Sequence, residues 1–505
     1  MEKQNENNDK IQHANFMETI LPTVHPKTWF ALKFPEVHKK HNAALNEAMK
    51  GDHFTILGIN EDFFAATLGH LGNPKAPTVY VTREDRFYSY DCKAGIYVSK
   101  SEHQIISDLS ALLQQCADEC KYQGCDTSAL RFICSRSSQL NGVIKKAKGQ
   151  LHVTEDYFAN DLEKFIACEN GMLCLADNAL VPFSADFRRR NKLSVNFDPN
   201  ATCPLFLDTL LGQALNEADI LFLQKWFGLA LIGKNISQVI VILSGTAQGG
   251  KSTLAKVLVA IIGKENVATL RTEQLGQRFE TASFLGKTLL HGADVPADFL
   301  TQKSASALKS LTGGDSMTVE LKNGRERPEI IGEFNVLITS NSRLVILLEG
   351  DAEAWRRRLA IIEYCKPKPK NVIPALADTI LKDEGSGVLN WALEGLRKLR
   401  GDDWHFKLTA EQTEVVDRAL LESDSPKMFA NDCLEKADNC QLTQDDCFNH
   451  YLAYCRKREW TPIVKPKANT LIERQIMYLF AAGQRNDIKG TNGKDQRGWK
   501  GIKVK

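Results

Sequence analysis

The sequence predicts an α/β fold built around a parallel β-sheet, and three observations in the middle of the chain carry this prediction. Residues Val239–Leu243 form a continuous, mostly β-branched apolar run, which is typical of a strand buried on both faces. A glycine-rich loop follows at once, and Ser252–Ile262 then has the pattern of a helix. Two later apolar runs, 288–290 and 334–339, predict further buried strands. Strands that alternate with helices favour a parallel sheet with ligands at its carboxyl edge.

Length and composition place the chain among ordinary globular proteins. It has 505 residues, 43% of them hydrophobic and 25% charged, so several domains are expected. The longest apolar stretch, Leu221–Ile232, is interrupted by Gln224 and Lys225 and is too short to span a bilayer. The polar N-terminus shows no secretory signal, and the thirteen cysteines include no Cys-x-x-Cys pair. We therefore expect a cytoplasmic protein with reduced thiols and no membrane partner.

Short elements outside the central sheet are also visible. Thr78–Val81 and Phe87–Tyr90 have the pattern of strands, and Gln104–Cys120 that of an amphipathic helix. Much of 100–235 is expected to be helical. Thr409 and Gln412 have the spacing of a capping box that begins a helix running to about Leu421.

The glycine-rich loop has the spacing of a phosphate-binding loop. Its backbone N–H groups and the start of the following helix would surround the phosphates of ATP. Lys251 would reach the β and γ phosphates, and the Ser252 hydroxyl would bind Mg²⁺. The buried strand before the motif and the helix after it are the context that this motif requires. The expected cofactor-binding residues are Gly245, Thr246, Ala247, Gln248, Gly249, Gly250, Lys251, Ser252 and Thr253.

Two side chains that follow the later strands complete the expected catalytic site. Asp294, after the strand at 288–290, would supply the carboxylate for Mg²⁺. Asn341, after the next strand, would sense the γ-phosphate or hold the attacking water. Val295, which is not an acid, follows Asp294, so the general base remains open among Asp294, Asp298 or an acid elsewhere.

Three consecutive arginines, Arg356, Arg357 and Arg358, follow the last of these motifs. Such a run is often a solvated surface. In ring ATPases, however, an arginine reaches the γ-phosphate of a neighbouring subunit and stabilises the transition state. We expect one of the three to have this role, without a choice among them.

In combination, these segments resemble superfamily 3 helicases, on the branch of poxvirus and satellite-phage primase-helicases. The resemblance covers about residues 85–400 and rests on many pieces in a fixed order. These are the phosphate loop, 278–280, 285–287, Asp294, 311–315, 339–341 and 351–357, with 170–173 and 197–201 upstream and 389–396 downstream.

This resemblance implies an AAA+-like core and a homo-oligomeric ring, usually a hexamer, that uses ATP and Mg²⁺ to move along single-stranded and forked DNA. It also implies a hairpin between Asp315 and Phe334 whose tip contacts DNA. Asn323-Gly324 is a hairpin turn signal, and basic residues surround it. An ordinary solvated turn would have a similar sequence. The expected DNA-binding residues there are Lys322, Asn323, Arg325 and Arg327. Because residues 1–85 show no primase constellation, a separate primase or other replication proteins are expected partners.

The C-terminal region is expected to bind duplex DNA. Residues 456–505 carry thirteen Lys or Arg and four Asp or Glu, whereas the whole chain has a formal charge of only +2. Helices are expected at 427–437, 443–458 and 468–480. Residues 496–504 resemble the final wing of a winged-helix domain, with Arg497 and Lys500 as DNA contacts. A protein-docking winged helix or a solvated basic tail is the alternative.

The sequence is expected to divide into five segments, and the resemblance implies a replicative function for a phage, plasmid or mobile element. The alternative is a nucleotide-dependent DNA-binding switch or initiator ATPase without processive unwinding; a small-molecule kinase lacks an evident acceptor site. The expected segments are an N-terminal region of unknown role at 1–85, a mostly helical domain at 86–235, the ATPase at 236–400, a connecting helix at 401–426 and a winged-helix-like domain at 427–505.

Overall fold

The structure is a computed structural model, and its described residues form two compact units. The first comprises residues 1–193 with 318–330, and the second comprises 194–317 with 331–505. Thr246, Asp298 and the hairpin residues Lys322, Asn323 and Arg325 lie outside the described residues. The structure describes residues 26–37, 39–40, 61–70, 77–121, 127–154, 156–159, 161–245, 247–275, 277–296, 302–320, 327–341, 352–366, 373–490 and 493–505.

The first unit combines helices with two small sheets. One is a four-stranded sheet of order β3-β2-β1-β4, and the other is an antiparallel sheet of order β5-β6-β7. Aromatic side chains, including Trp29, Phe30 and Phe63, form a buried core with α3 and α5. The elements are α1 Pro26–Lys33, α2 Glu61–Leu68, β1 Thr78–Val81, β2 Arg86–Asp91, β3 Ile96–Lys100, α3 Glu102–Lys121, α4 Ser128–Cys134, α5 Ser137–Gln150, β4 His152–Val153, β5 Phe165–Cys168, β6 Gly171–Cys174 and β7 Leu180–Val181.

The expectation that residues 86–235 are mostly helical is wrong for the segment from 152 to 181. Residues 170–173, which took part in the resemblance as a piece of a helical domain, contain a turn and the start of β6. Asn170-Gly171 joins two antiparallel strands, as this dipeptide commonly does. A Cβ on Gly171 would lie 2.9 Å from the carbonyl oxygen of Val181, so the close approach of β7 requires glycine there. The expected strands at 78–81 and 87–90 and the helix at 104–120 are confirmed, with small changes at their ends.

The second unit contains the expected parallel sheet, with five strands in the order β14-β8-β13-β10-β9. Every neighbouring pair is parallel, so the carboxyl ends of all five strands lie at one edge. The apolar runs found in the sequence form β8, β10 and β13. The elements up to residue 401 are α6 Glu217–Leu231, β8 Ile240–Gly245, α7 Lys251–Ile262, β9 Val267–Thr269, β10 Leu289–Gly292, α8 Gln302–Gly313, β11 Ser316–Thr318, β12 Glu329–Ile331, β13 Asn335–Thr339, α9 Ala352–Arg356, β14 Leu359–Tyr364 and α10 Leu376–Gly401.

A one-and-a-half-turn π-helix, Leu205–Leu211, precedes α6. Its wider turn is closed by a hydrogen bond from the Gly212 N–H to the Leu207 carbonyl, five residues back, at 2.7 Å. π-helices are rare and are often found at functional sites.

The strands β11 and β12 pair as a two-stranded sheet, and the division between the units passes through both of them. They flank the expected hairpin tip, residues 321–326 of which lie outside the described part of the chain. Within the first unit, the Arg83 guanidinium forms an ion pair with the Glu329 carboxylate at 3.2 Å.

The C-terminal residues of the second unit form three helices and an antiparallel sheet of order β15-β17-β16. Before them, α11 begins with the expected capping box between Thr409 and Gln412. The expected helix at 427–437 ends earlier, because residue 434 begins a strand. The buried core includes Phe429, Tyr451 and Trp499. The elements are α11 Ala410–Ser423, α12 Ser425–Cys433, β15 Leu434–Thr443, α13 Gln444–Lys457, α14 Lys465–Phe480, β16 Arg485–Lys489 and β17 Asp495–Val504. Among the described helices, none has the length and apolarity needed to cross a membrane.

Candidate functional site

The glycine-rich loop leaves the carboxyl end of β8, one of the interior strands of the parallel sheet. Gly245 has φ +124° and Gly250 has φ +96°, conformations that residues with a Cβ rarely adopt. The backbone of Gln248, with φ +68°, also lies in the left-handed region. A Cβ on Gly245 would lie 2.6 Å from the carbonyl oxygen of Tyr364 on β14. The glycines thus allow the chain to turn sharply between β8 and α7, whose first residue is Lys251.

Lys251 is the buried basic residue of this loop. Only 4% of it is exposed, and its Nζ donates a hydrogen bond to the Gly245 carbonyl at 2.9 Å. Burial lowers the pKa of Lys251 below its usual value, and the nearby Asp294 carboxylate opposes that shift. Ser252 is exposed at the next position. The ammonium and the hydroxyl therefore lie at the start of α7, where the helix dipole also favours an anion.

Asp294 and Asn341 contact each other at the same edge of the sheet. The Asn341 Nδ2 donates to the Asp294 Oδ1 at 2.7 Å. The Asp294 N–H donates to the Thr339 Oγ1 at 3.2 Å. The backbone of Asp294 lies in the left-handed region, with φ +48°. Because β10 and β13 are adjacent and parallel, their carboxyl ends bring the two side chains together. A carboxylate held by an amide in this way is oriented, as a metal ligand or water-binding group must be.

A cavity of about 510 Å³ opens beside the loop, which is large enough for a small organic ligand. One side of it is lined by the loop and the start of α7, together with Asn341. The other side is lined by the end of the π-helix and by the residues that lead into α10. The lining residues of this second side are Thr209, Leu210, Gln213, Ala214, Ile373, Ala375, Leu376 and Ala377.

The three arginines have different surroundings. Arg356 forms ion pairs with Glu353 and Asp417, both at 2.6 Å. Arg358 is buried and donates to the Ala354 carbonyl at 3.1 Å and to the Gln238 side chain at 3.3 Å. Arg357 is exposed, and no described residue forms an ion pair with its guanidinium. Of the three, Arg357 is therefore the one that can reach another molecule without breaking an ion pair with a described residue.

The structure describes only some of the expected DNA-binding residues, and these lie in different units of the chain. Arg327 is exposed in the first unit, next to the hairpin tip. Arg497 and Lys500 are exposed on β17, but Lys500 forms an ion pair with Asp487 at 3.1 Å. The stretch expected as the final wing is the central strand of its sheet. The reason is that the Trp499 indole is fully buried and anchors this strand between β15 and β16.

Sequence reasoning missed the second side of the cavity. Residues 205–214 have the composition of an ordinary apolar helix, and nothing in their pattern indicates a π-helix or a neighbouring loop. Tyr364 was also missed; its ring centroid lies 5.8 Å from the Lys251 Nζ. Only the parallel pairing of β14 with β8 brings Tyr364 to this position.

Two family descriptions match parts of the chain. Residues 94–215 match the family "D5 N terminal like". Residues 243–358, which include the loop, Asp294 and Asn341, match a "Family of unknown function (DUF5906)". The first match includes residues 170–173 and 197–201, on which the upstream part of the resemblance was based.

The chain is also similar to solved structures of the NrS-1 C-terminal region in its apo state. One is 14% identical, covers 84% of this chain and 97% of that chain, and has a TM-score of 0.43. A second is 13% identical, covers 84% of this chain and 96% of that chain, and has a TM-score of 0.45.

Proposed function

We propose that this protein is an ATP-dependent DNA helicase of superfamily 3, which acts as a ring translocase on single-stranded DNA during replication of a phage, plasmid or mobile element. The observation that carries the proposal is the contact between Asp294 and Asn341 beside the glycine-rich loop. Phosphoryl transfer depends mainly on positioning and charge stabilisation, and the phosphate loop, carboxylate and amide are the parts that it needs.

The residues present fit ATP with Mg²⁺. The positive-φ glycines let the backbone approach phosphates, and Lys251 supplies a positive charge. Uncharged residues of the π-helix and of the segment leading into α10 line the same cavity. Mg²⁺, held by the Ser252 hydroxyl and the Asp294 carboxylate, would neutralise charge on the β and γ phosphates. Asn341 orients the Asp294 carboxylate and has a second amide hydrogen to hold the attacking water or the γ-phosphate.

Arg357 is our candidate for the arginine that acts in a neighbouring subunit of a homo-oligomeric ring. Arg357→Ala should lower ATP turnover about 1,000-fold or more in the assembled protein, because such an arginine stabilises transition-state charge. Arg356→Ala is the matched control: it removes an exposed pair with Glu353 and Asp417 and should change turnover little. Equal losses in both variants would remove the distinction between them.

The DNA-binding part of the proposal rests on the basic residues of the hairpin and of the C-terminal region. The C-terminal elements follow the order helix, strand, helix, helix and two strands, which supports a winged-helix-like domain. Neutralising Lys322, Arg325 and Arg327 together should abolish unwinding while ATP turnover without DNA persists. Intact unwinding would remove the hairpin from the mechanism, and loss of basal turnover would make these residues structural.

ATP-dependent unwinding of a forked duplex by the purified protein tests the whole proposal. Lys251→Ala should abolish unwinding, whereas Lys264→Ala, which removes an exposed lysine just after α7, should retain it. DNA-stimulated hydrolysis without unwinding would favour a nucleotide-dependent switch or initiator ATPase. Absence of hydrolysis in the unaltered protein would refute the catalytic assignment.

A further inference from the structure

The π-helix that lines the cavity is fixed at both ends by hydrogen bonds to charged side chains. At its start, the two carboxylate oxygens of Glu384 accept hydrogen bonds from the Leu205 and Phe206 N–H groups, each at 2.8 Å. Just beyond its end, the Lys366 Nζ donates to the Gly212 carbonyl at 3.0 Å and also to the Leu215 carbonyl. These contacts compensate backbone groups that the short helix leaves unpaired.

The π-helix is also packed directly against the loop. A Cβ on Gly250 would lie 3.3 Å from the Leu210 Cδ1, so Leu210 touches the last turn of the loop before α7. Leu210 is buried, while Thr209 is partly exposed and Gln213 is exposed. All three line the cavity.

An apolar segment that leads into α10 also lines the cavity. Ile373 is 43% exposed, and Ala375, Leu376 and Ala377 continue this apolar lining. Of the described residues that line the cavity, Lys251 and Lys256 carry a charge and both lie on α7, whereas those of the π-helix and of the segment leading into α10 carry none.

We infer that Leu210 and Ile373 enclose the base of a bound nucleoside triphosphate, and that Thr209 and Gln213 make this site prefer adenine. The inference rests on the proposed ATP site and specifies which part of the chain selects the base. An apolar cleft with a few uncharged polar groups suits a planar heterocycle. A glutamine amide can both donate and accept, which matches the N6 donor and N7 acceptor of adenine; guanine presents two acceptors, O6 and N7, at the same edge.

Equilibrium binding of ATP, GTP and inorganic tripolyphosphate to the full-length protein with Mg²⁺ tests this assignment. Tripolyphosphate reports on the phosphate end alone, because it has no base. Gln213→Ala should weaken ATP binding about tenfold, which corresponds to the loss of one to two hydrogen bonds. It should also reduce the preference for ATP over GTP and leave tripolyphosphate affinity unchanged.

Ile373→Ser provides a second test, since its exposed position makes loss of folding improbable as a cause of weaker binding. It should weaken ATP and GTP about equally, several-fold, and leave tripolyphosphate unchanged. Gln277→Ala, which alters an exposed glutamine outside the cavity, is the control and should bind all three like the unaltered protein.

Unchanged ATP affinity in both Gln213→Ala and Ile373→Ser would overturn the base assignment while leaving an ATP site in place. A parallel loss of ATP and tripolyphosphate would also overturn it, because the substitutions would then act on the phosphate end. If the unaltered protein bound neither ATP nor tripolyphosphate, the proposed function itself would fail.

Discussion

Gly245→Ala is a direct test of the loop geometry, because the structure gives two separate reasons why this position requires glycine. Its φ of +124° belongs to a region that residues with a Cβ rarely adopt. An added Cβ would also lie 2.6 Å from the carbonyl oxygen and 3.0 Å from the amide nitrogen of Tyr364. These are backbone atoms of the neighbouring strand, so the contact can be relieved only by moving β8 relative to β14.

The expected cost follows from these two terms. A backbone held in a sparsely populated conformation costs on the order of 1–3 kcal/mol. Forcing an extra methyl group into a packed site costs about 1–3 kcal/mol more. Gly245→Ala should therefore lower the free energy of unfolding of the second unit by about 4 kcal/mol and should weaken ATP binding as well.

Gly286→Ala is the matched control, because Gly286 has φ +73° but no atom within 4 Å of an added Cβ. It should show only the conformational term, about 1–3 kcal/mol. Urea unfolding followed by circular dichroism measures both variants in the same unit, with an unchanged slope if the denatured state is unaffected. Equal losses in the two variants, or a neutral Gly245→Ala, would refute the close packing of the loop against β14.

Three further substitutions test other parts of the structure. Arg190→Met should lower the free energy of unfolding by about 1–3 kcal/mol, because it removes the cation that pairs with the partly buried Glu84 carboxylate. Burial raises the pKa of Glu84, but the Arg190 guanidinium, together with the Tyr88 hydroxyl and Arg86, brings it below the usual 4.5. The pair therefore stabilises the fold above pH 4.5. The difference in stability between the unaltered and variant proteins in urea titrations should shrink as the pH falls below that value. Thr409→Ala should lower the stability of α11 by about 1 kcal/mol through loss of the capping box with Gln412, whereas Thr409→Ser should retain it in thermal denaturation. Trp499→Ala should lower the stability of the C-terminal elements by about 3–5 kcal/mol in calorimetry, and Trp499→Phe should lower it less; a neutral alanine variant would contradict the packing of β17.

Several elements could be predicted from the sequence because their signals are local. The apolar run of β8, the glycine-rich loop and the start of α7 follow one another without a gap, and all three lie where the pattern indicated. The capping box of α11 needs only residues three positions apart. Asp294 and Asn341 were each placed after a buried strand, and a parallel sheet necessarily brings such positions to one edge.

The short strands between 152 and 181 could not be separated from helix by the same reasoning. Strands of two to four residues are too brief to show an alternating pattern, and their pairing depends on partners elsewhere in the unit. Asn170-Gly171 was a usable signal for the turn between β5 and β6, since this dipeptide commonly connects hairpin strands.

The sequence by itself determined that a glycine-rich loop joins a buried strand to a helix, and that a carboxylate and an amide follow later strands of the same sheet. Only the tertiary structure decided which side chains face the loop. It placed β14 beside β8, held the π-helix between Glu384 and Lys366, and gave three consecutive arginines three different surroundings. Sequence periodicity records which face of an element is buried, but the partner that covers that face is set by packing between residues distant in sequence, such as those of β8 and β14.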